Sequence, residues 1–200
     1  MEIVCLDLEG VLVPEIWIAF AEATNIPEFR KTTRDEPDYD KLMHYRIDLL
    51  KKHGLGIKEI ESTIEKIEPL EGAKEFLDKL RERTQVVIIS DTFYEFGRGL
   101  MKKLGYPTLM CNKLVVNSNG EIVDYRLRCE KTKLTTVKSL QACGFTTIAA
   151  GDSYNDLQMI RASKGGCLFR APEKIRNDNP DLKAVDTYEE FYDTLTGFLA

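Results

Sequence analysis

The sequence predicts an α/β protein: a doubly wound parallel sheet carrying a helical insertion after its first strand and one β-hairpin. Three observations support this. Short apolar runs lacking polar alternation recur along the chain, which is how strands buried on both faces read. Segments with helical spacing separate them, and strand alternating with helix implies a parallel sheet covered on both sides. Between residues 13 and 69 the rhythm fails, because only helical patterns occur there.

Taken in order, IVCLDL (3–8) reads as the first strand. PEIWIAFAEAT, DYDKLMHYRIDLLKKHG and IKEIESTIEKI follow, each amphipathic and none rich in Gly, Ser or Pro, so they form an inserted helical domain rather than a linker. AKEFLDKLRERT (73–84), YEFGRGLMKKLG (94–105) and LTTVKSLQACG (134–144) are the helices of the main unit. VVIIS (86–90), TTIAAGD (146–152) and CLF (167–169) are its further strands. Asn119-Gly120 sits between two alternating runs, TLMCNKLVVNS and GEIVDYRLR, and signals an antiparallel hairpin. The expected division is a core of residues 1–12 and 70–200 with a helical cap domain at 13–69.

Bulk properties narrow the function. With 200 residues, 43% of them apolar, the chain can bury one sizeable core. Its net charge is -5 and its 28 basic residues are scattered, which argues against a nucleic-acid or anionic-membrane surface and for a small ligand. The five cysteines are widely spaced and form no CxxC, as expected of reduced thiols in a cytoplasmic protein. An acidic second residue, and no apolar run near the roughly 20 residues of a membrane span, lead us to expect neither secretion nor membrane insertion.

The chemistry gathers at strand ends. Asp7 and Glu9 follow a greasy run, and would point to the same side if the strand persisted to Glu9. Ser90-Asp91-Thr92 and Gly151 to Asp156 close two other strands, and ligands of open parallel sheets bind outside the carboxyl ends. Helix capping offers a plainer account of Thr92-x-x-Glu95 and Ser153-x-x-Asp156, but not of Asp7. Asp7, Glu9, Asp152 and Asp156 at one edge would repel one another. A hard divalent cation, Mg2+, resolves the conflict.

DLEGV, then IISDT, a lysine before a helix and GDSYND, in that order, resemble the haloacid dehalogenase superfamily of phosphohydrolases. With PDYDKLM, IEPLEG and SDTFYEF the likeness extends over nearly the whole chain, to the bifunctional phosphoserine phosphatase/homoserine phosphotransferase type of that superfamily. The resemblance implies a Rossmann-like core and a place in serine and amino-acid biosynthesis. It makes Asp7 the nucleophile, forming an aspartyl phosphate, and Ser90 and a lysine the holders of the phosphoryl oxygens. Lys133 is preferred over Lys131 because relatives place their lysine at the start of this helix. Mg2+ would be held by Asp7, Asp152 and the Glu9 backbone carbonyl, with Asp156 supporting. Glu9, where most relatives have Asp, would move protons to and from the leaving or attacking oxygen. Arg46 and Glu15 would bind the carboxylate and ammonium of phosphoserine, and Asp91 and Asn155 would line the phosphate end.

His44 and His53 read as surface residues, and Trp17, Phe20 and Met43 as packing. Water or homoserine as acceptor, another small phosphomonoester as substrate, and a sensor that binds Mg2+ and a phospho-amino acid without turnover all stay open. A homodimer is compatible with the sequence.

Overall fold

The computed structural model describes residues 1–33, 35–36 and 38–199. Its strands are β1 (Glu2–Leu6), β2 (Gln85–Phe93), β3 (Thr108–Val116), β4 (Ile122–Arg126), β5 (Thr146–Gly151), β6 (Gly165–Phe169) and β7 (Ala184–Val185). They form one sheet in the order β4-β3-β2-β1-β5-β6-β7, parallel throughout except for the β3–β4 pair. The helices are α1 (Ile16–Thr24), α2 (Tyr39–Lys52), α3 (Ile57–Ile64), α4 (Ala73–Arg81), α5 (Tyr94–Lys103), α6 (Thr132–Ala142), α7 (Leu157–Ala162), α8 (Glu173–Asp178) and α9 (Tyr188–Thr196). No helix among the described residues is long and apolar enough to cross a membrane.

The missing alternation in β1 has a direct cause. Cys5 faces a cluster with Val87, Ile89, Val137 and Ile160, whereas Val4 and Leu6 face the larger cluster that holds Phe76, Leu80, Leu100 and Phe191. Both faces are dry, so every position must be apolar. α6, α7 and α8 cover the first face, and α4, α5 and α9 the second.

The inserted helices pack on themselves and on the sheet unit. Trp17 stacks on Phe29 and meets Phe20 and Phe96 edge-on, at centroid distances of 5.9, 6.0 and 5.5 Å. The hairpin fastens them from the other side. The Gly120 carbonyl, in the β3–β4 turn, accepts from the Ile57 amide at 2.9 Å, and the Tyr125 hydroxyl on β4 donates to Asp40 on α2 at 2.7 Å.

Three boundaries differ from the sequence expectation. β1 ends at Leu6, because the Leu8 carbonyl turns to accept from both Leu12 and Val13, with Gly10 at φ +77°. Asp7 and Glu9 therefore do not share a strand face. β2 runs on to Phe93, which pairs with Asn112 across a register shift and is buried against Phe96. α5 consequently starts at Tyr94 without the expected Thr92 cap, and Glu95 instead accepts from the Leu114 amide at 3.0 Å. β6 begins two residues before the apolar CLF run, at Gly165-Gly166, where a Cβ on Gly166 would lie 1.9 Å from the Ala149 carbonyl oxygen. Glycine there admits the close approach of two backbones.

Phe191 is wholly buried, stacked between Phe169 at 4.3 Å and Phe76 at 4.7 Å. Phe191→Ala should cost about 3–5 kcal/mol of unfolding free energy in urea with an unchanged m-value. A loss below about 1 kcal/mol would mean that this stack does not hold α9 to the sheet.

Candidate active site

β1 lies at the centre of the sheet with β2 on one side and β5 on the other, and the chain winds away from it in both directions. Such a reversal opens a crevice at the carboxyl ends of the strands. Asp7 follows β1 directly, Ser90 lies near the end of β2, and Asp152 follows β5. The register of Leu6 with Ile88 and with Ala150 brings the three to neighbouring strand ends. Lys133, in the first turn of α6, completes the group: its Nζ is 2.9 Å from Asp7 Oδ2 and 2.6 Å from Asp156 Oδ1. Lys131 is the exposed N-cap of the same helix, so of the two lysines Lys133 is the one that reaches Asp7.

Asp7, Lys133 and Asp156 are 5%, 3% and 0% exposed. Burial pushes the Asp7 carboxyl well above its ordinary pKa; Lys133 opposes this, and Asp156 and Asp152 add to it. Asp152 is raised to about 7, by burial and then by the charges of Asp156 and Glu15. Burial lowers the Lys133 pKa, but the charges of Asp156 and Asp7 more than offset it and hold the ammonium protonated.

One ammonium among three carboxylates leaves negative charge in excess, and this set suits a hard divalent cation. Asp7, Asp152 and Asp156 each offer an oxygen within 4.8 Å of the others. Asp156 is already saturated, accepting from Lys133, from the Asp152 and Ser153 amides and from the Ser153 hydroxyl. That leaves Asp7 and Asp152, and Mg2+ needs only one or two carboxylates besides water and phosphate oxygens. The turn at Gly10 lies hard against Asp152, since a Cβ there would come within 2.5 Å of Oδ2.

A second group adjoins the first. Glu9 accepts from the Ile16 amide at 2.9 Å, at the start of α1. Its pKa is raised to about 7, chiefly by burial and then by the charge of Glu15, with the Ile16 amide, Arg46 and the Thr92 hydroxyl opposing. Arg46 is buried with its guanidinium 4.6 Å over the Trp17 ring, and one Nη donates to the Lys31 carbonyl at 2.9 Å. Burial lowers its pKa to about 10. Arg46 Nε and Thr92 Oγ1 are buried without a hydrogen-bond partner.

The family model for haloacid dehalogenase-like hydrolases matches residues 1–164. The chain belongs to this family. It is 53% identical over 190 residues to phosphoserine phosphatase ThrH of Pseudomonas aeruginosa, covering 95% of this chain and 93% of that protein. It is 52% identical to a phosphoserine phosphatase of Pseudomonas syringae pv. tomato, over 95% of this chain and 80% of that one. A substrate-bound phosphoserine phosphatase complex and a phospho-aspartyl intermediate analogue of phosphoserine phosphatase each superpose with a TM-score of 0.77 at 23% identity. They cover 94% and 93% of this chain, and 93% of each of those chains.

Within this haloacid dehalogenase-like hydrolase, the expectation that Asp7 and Glu9 converge needs correction. The strand ends before either residue, and the Glu9 carboxyl turns to α1, Arg46 and Glu15 while Asp7 turns to Lys133. Glu9 therefore contributes no carboxylate to the acidic cluster. Glu15 is exposed at the α1 N-cap, and its charge acts on Glu9, Arg46 and Asp152. Asp91 and Asn155 bind each other at 3.0 Å on the rim, and Asp91 also accepts from the Thr132 hydroxyl. Ser90 Oγ accepts from the Thr92 amide at 3.2 Å, which leaves its own hydrogen free to donate. Sequence reasoning passed over Thr92, which it read only as a cap, and Tyr39, whose hydroxyl donates to the Asp91 carbonyl at 3.2 Å. A polar residue closing a buried strand was the available signal for Thr92.

Glu9 and Asp152, both raised to about 7, bind more protons folded than unfolded between the ordinary carboxylate range and that value. Rising pH therefore removes stability from the metal-free protein, by on the order of 1.4 kcal/mol per group per pH unit within that window. The thermal midpoint without divalent cations should fall between about pH 5 and about pH 8, and millimolar Mg2+ should restore it at the upper pH and do little at the lower. A midpoint that climbs over this range, or an equal Mg2+ effect at both ends, would contradict the charge arrangement.

Proposed function

We propose that this hydrolase is a phosphoserine phosphatase working through Asp7, and that it passes the same phosphoryl group to homoserine when that alcohol is present. The observation that carries the reading is the pairing of two sites: the Asp7–Lys133 contact of 2.9 Å at the sheet crevice, and beside it a buried arginine facing two glutamates. A phosphorylated amino acid has a matching pair of ends. The kinship with the Pseudomonas phosphoserine phosphatases along nearly the whole chain supports the same substrate.

Asp7 attacks phosphorus, its oxygen bonding to phosphorus as the ester bond to the serine oxygen breaks. Lys133 opposes the protonation that burial favours at Asp7 and, with the Ser90 hydroxyl, binds phosphoryl oxygens as charge builds on them. Glu9 gives its proton to the departing serine oxygen, then takes one from the water or alcohol that attacks the aspartyl phosphate and breaks the Asp7–phosphorus bond. A carboxyl raised to about 7 can do both at neutral pH. Asp7, Asp152 and the Glu9 backbone carbonyl would hold Mg2+, which when bound supplies the positive charge that lets an anionic carboxylate approach an anionic ester.

Arg46 takes the substrate carboxylate through charge-assisted hydrogen bonds, and Glu15 takes the ammonium. Residues 13–69 act as a helical cap over a core of residues 1–12 and 70–200, closing this amino-acid end. The extra methylene of Glu9 over Asp alters the space at the attacking oxygen, where water or an alcohol enters. The reading suits a cytoplasmic enzyme of amino-acid metabolism.

Arg46→Ala should lower kcat/KM for phosphoserine by on the order of 10–10²-fold and change p-nitrophenyl phosphate hydrolysis by less than about threefold. Equal losses on both would reject the carboxylate contact. With phosphoserine as donor, added homoserine should divert product from inorganic phosphate to phosphohomoserine; phosphate release unaffected by homoserine would remove the transferase half.

A further inference from the structure

Two buried side-chain polar atoms lack a hydrogen-bond partner among the described residues, Arg46 Nε and Thr92 Oγ1. Buried polar atoms without partners are rare in folded proteins and call for an explanation. Both border Glu9, whose carboxyl feels the Arg46 charge and the Thr92 hydroxyl. Arg46 already has a use at the carboxylate end of the substrate. Thr92 has only the Glu9 carboxyl beside its hydroxyl: it does not cap α5, and its side chain holds no strand or loop.

Its position indicates a use. The Thr92 amide donates to Ser90 Oγ, so this residue adjoins the serine at the phosphate end. Its side chain adjoins Glu9, the proton carrier. The register shift between Ile89 and Phe93 interrupts the regular strand here, and such shifts re-aim side chains beside active sites. A group between the phosphoryl end and the proton carrier stands where the oxygen joining serine to phosphorus must lie.

We propose that the Thr92 hydroxyl is a specificity-determining contact to the alcohol oxygen, hydrogen-bonding the bridging ester oxygen of the donor and the hydroxyl of an incoming acceptor. The inference rests on the phosphomonoesterase reading above. Thr92 moves no proton: in the forward step Glu9 protonates the leaving oxygen as Asp7 bonds to phosphorus, and in the return step the acceptor hydroxyl gives its proton to Glu9 as its oxygen displaces Asp7. The threonine donates to the oxygen that carries developing negative charge and so matters most for alkyl esters, whose leaving groups are basic. Aryl esters leave without such help.

The test compares wild type, Thr92→Val and Thr92→Ser on phosphoserine and on p-nitrophenyl phosphate with Mg2+ present, alongside thermal midpoints. Thr92→Val should lower kcat on phosphoserine by about 10–10²-fold while aryl phosphate turnover changes by less than about threefold. Its midpoint should stay close to wild type, because the hydroxyl's one polar neighbour in the free protein is the Glu9 carboxyl and no cap, strand or loop bond is lost. Thr92→Ser should recover most of the phosphoserine rate. Wild-type kinetics in Thr92→Val, equal losses on both esters, or no recovery with serine would overturn the proposal. A wild type that ignores phosphoserine but cleaves another alkyl phosphate would sink the substrate reading instead, and the same three proteins on that ester would then decide the role of Thr92.

Discussion

The Lys133 ammonium lies 2.9 Å from Asp7 and 2.6 Å from Asp156, and all three groups are withdrawn from water. Burying such charges costs several kcal/mol per ion unless every lone pair and proton finds a partner. Much of the surrounding backbone follows from that demand. The turn after β5 wraps its amides around Asp156, and Gly151 must lack a side chain because a Cβ would come 2.1 Å from the Asp156 carboxyl carbon. The Asp7 amide donates to the Ala150 carbonyl at 3.0 Å, extending the β1–β5 ladder by one bond before the chain turns. With Asp156 saturated and Lys133 shared, the negative charge left over rests on Asp7 and Asp152. That surplus makes the site receptive to a dication and to a phosphate whose charge the dication offsets.

The remaining polar chemistry is separated from this centre rather than mixed with it. Glu9 is held by the α1 amide of Ile16, and Arg46 is held over Trp17, so the Glu9–Arg46 group is built on the inserted helices while the Asp7–Lys133 group is built on the sheet. The hairpin links the two. Tyr125 bonds Asp40 on α2, the Gly120 carbonyl bonds the start of α3, and Tyr39 on α2 reaches the Asp91 carbonyl beside Ser90. A strand pair that adds only an edge to the sheet thus ties the inserted helices to it.

Much of this was readable from residue order. Buried runs that stop at Asp7, Ser90 and Asp152 announce three strand ends, and strand-helix alternation puts those ends on one edge. The family resemblance puts Lys133 at the start of a helix, and the structure has it in the first turn of α6. Asn119-Gly120 marks the hairpin that the structure closes around Gly120. What escaped depends on contacts distant in sequence. The stop of β1 at Leu6 is set by the Leu8 carbonyl accepting from Leu12 and Val13, and the strand pattern through Leu8 gives no sign of it. Arg46 looks like any exposed helical arginine until Trp17 and Glu9 are brought against it. Thr92 looks like a cap because β2 is carried past it only by the pairing of Phe93 with Asn112 across a register shift, which no local pattern encodes. The short β7 and α8 carry weak local signals and are held by packing, as the burial of Val185 and Ile175 shows, whereas α9 opens on a Thr187–Glu190 capping box.

The covalent role of Asp7 is open to direct inspection. Enzyme mixed with phosphoserine and Mg2+, quenched in acid within the first turnover and mapped by mass spectrometry, should carry the added phosphoryl mass on the peptide holding Asp7 and on no other. Phosphoryl mass at a different side chain, or turnover with none trapped at any time, would contradict it.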